Sequence, residues 1–167
     1  MWNKDKKMFE LLNTHYNLEQ AAANMYTGIA TRAQKEGYDN TSKFFKKLSD
    51  DKIKAHLPRM YDYFNSVDEL ITINKYSVPK HLNDKDVKAM VKEALDNELQ
   101  IRKHVTYIVE YALSIKDFET YEFLQWFVKD AIKDVKDVDD INTYFELGTS
   151  PLQIERAIGN KLTNDEE

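Results

Sequence analysis

The chain has 167 residues, an ordinary size for one domain with its own hydrophobic core. It contains no cysteine, which excludes disulfides, thiolate metal sites and thiol nucleophiles, and its 4 Gly and 3 Pro against 32% charged residues favour helices. The formal net charge is −5, with lysines and acids intermixed, so no nucleic-acid partner is expected.

The first predicted helix, helix A, runs from about residue 6 to about residue 35 and ends near Gly37. Its packing face has apolar residues at steps of three and four: Phe9, Leu12, Tyr16, Ala23, Tyr26, Ala30 and Ala33. Glu19 interrupts this face. A carboxylate among the packing residues of a helix bundle is costly unless a partner compensates it.

Helix B is predicted from about residue 41 to 65, after a run of capping residues, Asp39-Asn40-Thr41. Its packing face reads Phe45, Ser49, Ile53, His56, Met60 and Tyr63. His56 is the polar interruption, and Pro58 lies two residues beyond it. Because proline removes a donor and crowds the preceding turn, the helix should be kinked or bulged there.

A long connection follows, from about residue 66 to 83, and is predicted as a loop with an extended stretch. Such a connection can cross from one end of a bundle to the other and leave helices B and C parallel. Helix C is predicted at 84–115, with Asn83 as its cap. Its apolar face is interrupted by Glu98.

Helix D is predicted at 118–146, and its apolar face is interrupted by Asp134, with Asp130 one turn earlier. A short helix E, at 152–162, begins after Ser150 as N-cap and Pro151 in the first turn. Helix E is too short to be stable alone, so it needs a neighbour in its own bundle or in another subunit.

Each long helix therefore carries one polar residue on its packing face: Glu19, His56, Glu98 and Asp134. In an antiparallel bundle these four can meet in one layer. Ionised acids ~5 Å apart would repel by ~3 kcal/mol per pair at an effective dielectric of ~20. A divalent or trivalent cation would relieve this repulsion, and oxygen plus imidazole ligands suit iron, manganese or zinc. The alternative is that the helices are rotated and the acids face water.

Three stretches resemble bacterial non-haem ferritins: Asn17-Leu18-Glu19 with Tyr26 seven residues on, Asn97-Glu98, and Phe123-Leu124-Gln125-Trp126-Phe127-Val128. The resemblance implies an all-α fold, a single ferritin-like four-helix bundle over 1–167 with a long B–C crossover and a short fifth C-terminal helix. It further implies a hollow homo-oligomeric shell of twenty-four subunits. Such shells take up ferrous iron, oxidise it with dioxygen at a di-iron centre, and store ferric mineral inside the cell.

The same resemblance implies roles for individual residues. Glu19 and His56 would bind one iron, Glu98 would bind a second, and Tyr26 would stand beside them as a hydrogen-bond donor or redox neighbour. Asp130 and Asp134 match positions that serve a nearby third iron site in these ferritins, and Asp134 would also reach the second iron.

The chain departs from the family pattern at the bridging carboxylate. The family has a glutamate three residues before the helix B histidine, and here that position is Ile53. Asp50 and Asp51 lie one step out of register, and a bulge near Pro58 would bring Lys52 nearest to the bridging position instead. Ala131 and Lys133 replace two further family residues. We therefore expect iron binding with weak, slow ferroxidase activity.

The sequence is also compatible with two alternative functions. One is a catalytically inactive shell subunit that merely encloses ions. The other is a mini-ferritin that protects DNA, against which helix E and the lack of a basic tail both count. No haem is expected, because the five methionines show no paired arrangement. His15, His81 and His104 are predicted to be solvated or capping.

The location is predicted from what the chain lacks. No run of about eighteen apolar residues occurs, so neither a membrane span nor a membrane partner is expected. The first five residues lead into no apolar segment, so no signal peptide is expected. A cytoplasmic protein is the resulting expectation.

Overall fold

The computed structural model describes residues 5–75 and 84–166, and the elements in these ranges are helical throughout. The helices, in chain order, are α1 (Lys6–Lys35), α2 (Asp39–Asp51), a π-helical turn (Lys52–His56), α3 (Leu57–Ser66), α4 (Val87–Ser114), α5 (Phe118–Leu147) and α6 (Pro151–Asn164). The all-α prediction is confirmed. So is the bulge expected in helix B, which consists of α2, the π-helical turn and α3.

The directions of the long helices follow from contacts between α1 and α4. His104 Nε2 lies 3.2 Å from the carbonyl oxygen of Leu11, whereas the Tyr26 hydroxyl bonds to Glu98. Residue numbers fall along α1 as they rise along α4, so these two helices are antiparallel. Helix B is also antiparallel to α1, because only a short turn joins them. Helix B and α4 therefore run parallel, as the long crossover predicted.

The start of the crossover is held against α1 by two asparagine side chains. Asn17 donates from Nδ2 to the carbonyl of Thr72 at 2.8 Å and accepts from the amide of Asn74 at 2.8 Å. Asn13 accepts from the amide of Thr72 at 2.6 Å. These bonds satisfy backbone groups that an extended, unpaired segment would otherwise leave to water. The other residues of the connection, 76–83, include Asn83 and His81 and lie outside the described residues.

Most helices begin with a side-chain cap from the preceding residue. Asp5, Asp117 and Ser150 each accept a hydrogen bond from the amide three residues on, and Asp86 does the same for α4. Helix α2 differs, because its N-cap position is Tyr38, which makes no side-chain capping bond. The capping role predicted for the run at 39–41 is therefore wrong.

The cap of α2 comes instead from α6. The Glu155 carboxylate accepts hydrogen bonds from the backbone amides of Asn40 and Thr41, the latter at 3.1 Å, and from Thr41 Oγ1 at 2.6 Å. A negative charge at this position also complements the positive end of the helix dipole. Helix α6 thus packs on its own bundle, and Glu155 ties it to the start of α2.

Replacing Glu155 with alanine is expected to lower the free energy of unfolding by about 1–2 kcal/mol, the usual cost of losing a helix N-cap. Urea denaturation followed by circular dichroism measures this change. The exposed Glu166→Ala variant is the matched control and should leave the midpoint unchanged. Equal midpoints for the two variants would contradict the capping role of Glu155.

Candidate metal centre

The register of helix B decides which side chains enter the bundle. The π-helical turn at Lys52–His56 accommodates one extra residue, and Pro58 follows in the first turn of α3, where it has no amide hydrogen to donate. As a result Lys52 is 0% exposed, whereas Ile53 is 48% exposed. A lysine therefore points into the bundle core, and the isoleucine points outward.

The Lys52 ammonium lies among three carboxylates. Its Nζ is 3.0 Å from Glu19 Oε2, 3.1 Å from Glu98 Oε1 and 2.9 Å from Asp134 Oδ2. All four side chains are buried. We call this group the Lys52 cluster. The acids from α1, α4 and α5 do converge on a common interior cation, and that cation is the chain's own lysine.

The pKa shifts in the cluster follow from its charges. Burial alone would lower the pKa of Lys52, but Glu19, Glu98 and Asp134 outweigh it and hold the pKa well above its usual value. Burial would raise the pKa of Glu19, yet the Lys52 and His56 charges bring it below its usual range. Asp134 is different, because burial dominates and raises its pKa to about 7. Lys52 and Glu19 are thus an ion pair at neutral pH.

The shift at Glu19 predicts a pH dependence of stability. Because its pKa is lower in the folded state, Glu19 contributes stability above about pH 4.5, its ordinary pKa, and this contribution is lost as pH falls further. The difference in unfolding free energy between the wild type and Glu19→Gln should therefore shrink between pH 5 and pH 2. Urea titrations at several pH values measure it. Glu10→Gln, an exposed acid on the same helix, should show no such trend, and a constant difference for Glu19→Gln would refute the ion pair.

Tyr26 supports the Lys52 cluster from α1. Its hydroxyl donates a short hydrogen bond to Glu98 Oε1 and accepts one from Asn97 Nδ2 at 3.2 Å. Burial and the neighbouring Glu98 raise the pKa of Tyr26 well above its usual value. Tyr26 is therefore a neutral hydrogen-bond donor that fixes the orientation of Glu98.

His56 joins the Lys52 cluster to the surface. Its Nδ1 lies 3.1 Å from Glu19 Oε1, and its Nε2 lies 2.7 Å from Asp130 Oδ2 and 3.4 Å from Asp51 Oδ2. Burial opposes protonation, but the carboxylates around the ring, Glu19 first, raise the pKa of His56 to about 11. The Trp126 ring packs edge-on against the imidazole, with ring centroids 5.0 Å apart.

A second group of potential ligands lies on the outer side of His56. One nitrogen of His56 and one carboxylate oxygen from each of three acids all lie within 4.8 Å of one another: Asp51, Asp130 and Asp134. We call this group the outer site. It adjoins a groove of about 480 Å³, which α2 and α5 line with Phe44, Leu48 and several charged side chains. Asp51 was not predicted as a site residue, because its register depends on the π-helical turn.

Three further sequence expectations can be compared with the structure. His15 was predicted to be solvated or capping, which is wrong: it is fully buried, with Nε2 3.3 Å from Glu19 Oε1. Burial lowers its pKa to about 4, so it is neutral. The spacing of four between His15 and Glu19 on a core face was the sequence pattern that could have predicted this contact.

Ala131 is buried without a polar group, and Lys133 pairs with Asp137 at 2.7 Å rather than with the centre.

The comparisons with known proteins agree with this architecture. The model of the ferritin-like domain family matches residues 9–147. An uncharacterized protein of Ureaplasma parvum is 38% identical over 160 residues, covering 95% of this chain and 94% of the relative. A probable bacterial non-heme ferritin-like protein of Haemophilus influenzae is 25% identical over 162 residues, covering 95% and 97%.

A solved structure extends the likeness to three dimensions. The crystal structure of M. penetrans ferritin superimposes with a TM-score of 0.91 at 38% identity, covering 96% of this chain and 98% of that one. None of the helices within residues 5–75 and 84–166 contains an apolar stretch that could span a lipid bilayer. A family model over most of the chain and a close structural match lead to one conclusion: the chain belongs to the ferritin family, whose general function is iron storage.

Proposed function

We propose that this chain is a subunit of an iron-storing shell in which Lys52 disables the di-iron oxidation centre. The observation that carries the proposal is the Lys52 ammonium itself, about 3 Å from Glu19, Glu98 and Asp134. These acids are the residues that would otherwise hold iron. Iron and dioxygen reach the protein as cargo and oxidant, and ferric mineral is the stored product.

Electrostatics explains why the ammonium excludes iron from this position. A divalent ion about 3 Å from an ammonium would be repelled by on the order of 10 kcal/mol at an effective dielectric of about 20. The carboxylates already share the charge of Lys52, so they gain less from a metal ion. Glu19 and Glu98 are therefore proposed as counter-ions of Lys52 rather than as catalytic ligands, and Tyr26 as the hydrogen-bond donor that orients Glu98. His56, Asp130 and Asp134 remain as candidates for metal binding.

The loss of one iron position affects catalysis, because the two-iron reaction takes electrons from two ferrous ions. Rapid oxidation by a two-iron centre depends on two ferrous ions at a fixed separation, so that one dioxygen takes an electron from each. With Lys52 in the centre and no bridging glutamate, the chain cannot hold such a pair. We therefore propose slow ferrous oxidation, with mineral growing on other acidic surfaces of the shell.

Stopped-flow oxidation of ferrous iron by the assembled protein tests this function. We expect a rate close to that of ferrous iron in buffer, together with ferric iron that stays with the protein during size-exclusion chromatography. A rate equal to that of a ferritin with an intact two-iron centre would overturn the proposed block by Lys52. Protein that retains no iron would support the second candidate, an inactive shell subunit, which Lys52 also favours.

Assembly into a cytoplasmic shell of twenty-four subunits is proposed from family membership and from exposed apolar side chains. Leu70, Leu147 and Leu152 are each more than 75% exposed in the single chain, and contacts with other subunits would cover such side chains. A DNA-protecting mini-ferritin is disfavoured by α6, which is 14 residues long and packs on the bundle. Native mass spectrometry should give a mass of about twenty-four chains, and a stable twelve-chain particle would favour the mini-ferritin instead.

A further inference from the structure

We propose that Tyr63 is a redox-active residue, which donates one electron to the oxidant formed when ferrous iron reduces hydrogen peroxide beside His56. Its phenolic proton passes through Thr120 to Asp117. This inference rests on the proposed function only in that iron is taken up beside His56. It adds a peroxide-consuming activity, and it gives a role to three aromatic residues that iron storage leaves unexplained: Phe123, Trp126 and Phe127.

The Tyr63 hydroxyl is connected to a carboxylate through one intervening side chain. Thr120 Oγ1 donates a hydrogen bond to Asp117 Oδ2 at 2.6 Å, and the Tyr63 hydroxyl lies 2.7 Å from Thr120 Oγ1. Because the threonine hydrogen points to Asp117, the hydrogen between the two hydroxyl groups comes from Tyr63. A phenol that loses an electron becomes a strong acid, so a proton acceptor already in place makes Tyr63 easier to oxidise.

A continuous row of aromatic rings joins His56 to Tyr63. The ring centroids of Trp126 and Phe127 lie 5.0 Å and 5.8 Å from that of His56. Phe127 contacts Phe123 with centroids 5.4 Å apart, and Phe123 stacks on Tyr63 at 3.9 Å with the ring planes 6° from parallel. Tyr63 follows His56 by seven residues, which is ~10 Å along a helix axis. Electrons tunnel readily between closely packed groups over such a distance, so Tyr63 can be oxidised without touching iron.

Tyr26 is the alternative electron donor, because its hydroxyl donates directly to Glu98. Oxidation of Tyr26 would place its proton on Glu98, which is a buried counter-ion of Lys52. The buried ammonium would then lose part of its compensation, which is costly inside a protein. Asp117 is partly exposed, so protonating its carboxylate costs less. The lysine in the core therefore favours oxidation at Tyr63 over oxidation at Tyr26.

The reaction balances with two ferrous ions for each peroxide. One ferrous ion gives an electron to hydrogen peroxide, whose O–O bond breaks to give a hydroxide ion and a hydroxyl radical. Tyr63 reduces that radical to a second hydroxide ion and becomes a tyrosyl radical, while its proton shifts along the hydrogen bonds and leaves Asp117 protonated. A later ferrous ion returns the electron to Tyr63, and the proton moves back. Tyr63 thus supplies for a time the electron that a second iron position would supply.

Electron paramagnetic resonance after rapid freezing tests the role of Tyr63. The assembled protein is loaded with ferrous iron, mixed with hydrogen peroxide and frozen. We expect a tyrosyl-radical signal in the wild type and its loss in Tyr63→Phe. Tyr61→Phe is the matched control and should keep the signal, because Tyr61 lies on the same helix but is 60% exposed.

Thr120→Val tests the path of the proton. Valine has nearly the shape of threonine, and Asp117 can still cap α5 by accepting from the backbone amide of residue 120, a bond of 3.1 Å in the wild type. Only the hydroxyl between Tyr63 and Asp117 is removed. The yield of the tyrosyl radical should fall several-fold, while circular dichroism shows an intact fold. An unchanged yield in this folded variant would overturn the proposed proton path.

Size-exclusion chromatography of the same samples separates this inference from the storage function. Protein that retains iron but gives the full signal in Tyr63→Phe would refute the role of Tyr63 alone. Protein that retains no iron, yet loses its signal in Tyr63→Phe and keeps it in Tyr61→Phe, would refute storage and leave the role of Tyr63 standing. A signal that is lost in Tyr26→Phe and kept in Tyr63→Phe would overturn the inference in favour of Tyr26.

Discussion

Replacing Lys52 with methionine is expected to destabilise the metal-free protein by about 3–5 kcal/mol, the usual cost of removing one partner from a buried ion pair. Methionine fills a similar volume, so the loss reflects charge rather than a cavity. Three buried carboxylates, on Glu19, Glu98 and Asp134, would be left without their cation. Urea denaturation at neutral pH, after treatment with a chelator, measures the effect.

The same variant should become dependent on metal ions for its stability. Zn²⁺ or Co²⁺ can replace the lost ammonium, and an ion that binds only the folded state stabilises it by about 2.7 kcal/mol at a concentration one hundred times its dissociation constant. The wild type should gain less from the same ions. Lys54→Met is the matched control, because Lys54 lies on the same π-helical turn with its side chain 76% exposed. Equal stability of the two methionine variants would show that the Lys52 cluster is not an important source of stability.

Most of the fold could be predicted, because the sequence patterns that specify helices are local or periodic. The apolar stripes predicted an all-helical chain, and the residues that interrupt those stripes, such as Glu19 and Glu98, are buried together in the core. An acid on a packing face indicates an interior polar contact, since the free energy cost of burying an unpaired carboxylate would be too high. The identity of the compensating partner is what such a pattern does not specify.

The partner depended on the register of helix B. One extra residue rotates everything beyond it by about 100°, which exchanges Ile53 for Lys52 at the centre. Pro58 marks the neighbourhood of this irregularity, but the position of the extra residue is fixed by packing and by the charges that attract the ammonium. Contacts between residues distant in sequence could not be predicted either: Glu155 caps a helix that begins more than one hundred residues earlier.

The Lys52 cluster also gives a physical reason for a metal-independent fold. In a centre built only from acids, the metal-free state keeps buried like charges close together. Here the ammonium remains in place whatever the metal supply, Tyr26 donates a hydrogen bond to Glu98, and His56 pairs with the Glu19 oxygen that Lys52 does not contact. The chain gains a permanent cation in its core at the cost of the second metal position. Restoring that position should therefore require a change at Lys52 itself.

Lys52→Glu is expected to create the missing bridging carboxylate and to raise the rate of ferrous oxidation about tenfold or more, equivalent to lowering the barrier by about 1.4 kcal/mol or more. A glutamate at this position points inward, because the backbone at residue 52 already directs its side chain into the core. Its side chain is about one bond, ~1.5 Å, shorter than that of lysine, which leaves room for a metal ion between the new carboxylate and Glu98. Stopped-flow oxidation and Co²⁺ stoichiometry, expected to rise by one per chain over the wild type, measure the result.

Lys52→Gln separates removal of the ammonium from creation of a bridge. Glutamine has the same shape as glutamate but no charge, so it should admit a second metal ion weakly and leave oxidation nearly as slow as in the wild type. Both variants need purification with a divalent ion present, because their metal-free forms leave the acids of the centre uncompensated. If Lys52→Glu binds one ion more per chain than the wild type but oxidises iron no faster than Lys52→Gln, the bridge is not what limits oxidation. If it binds no more ions than the wild type, Lys52 is not what excludes the additional ion, and the residues around Ala131 would have to account for the exclusion.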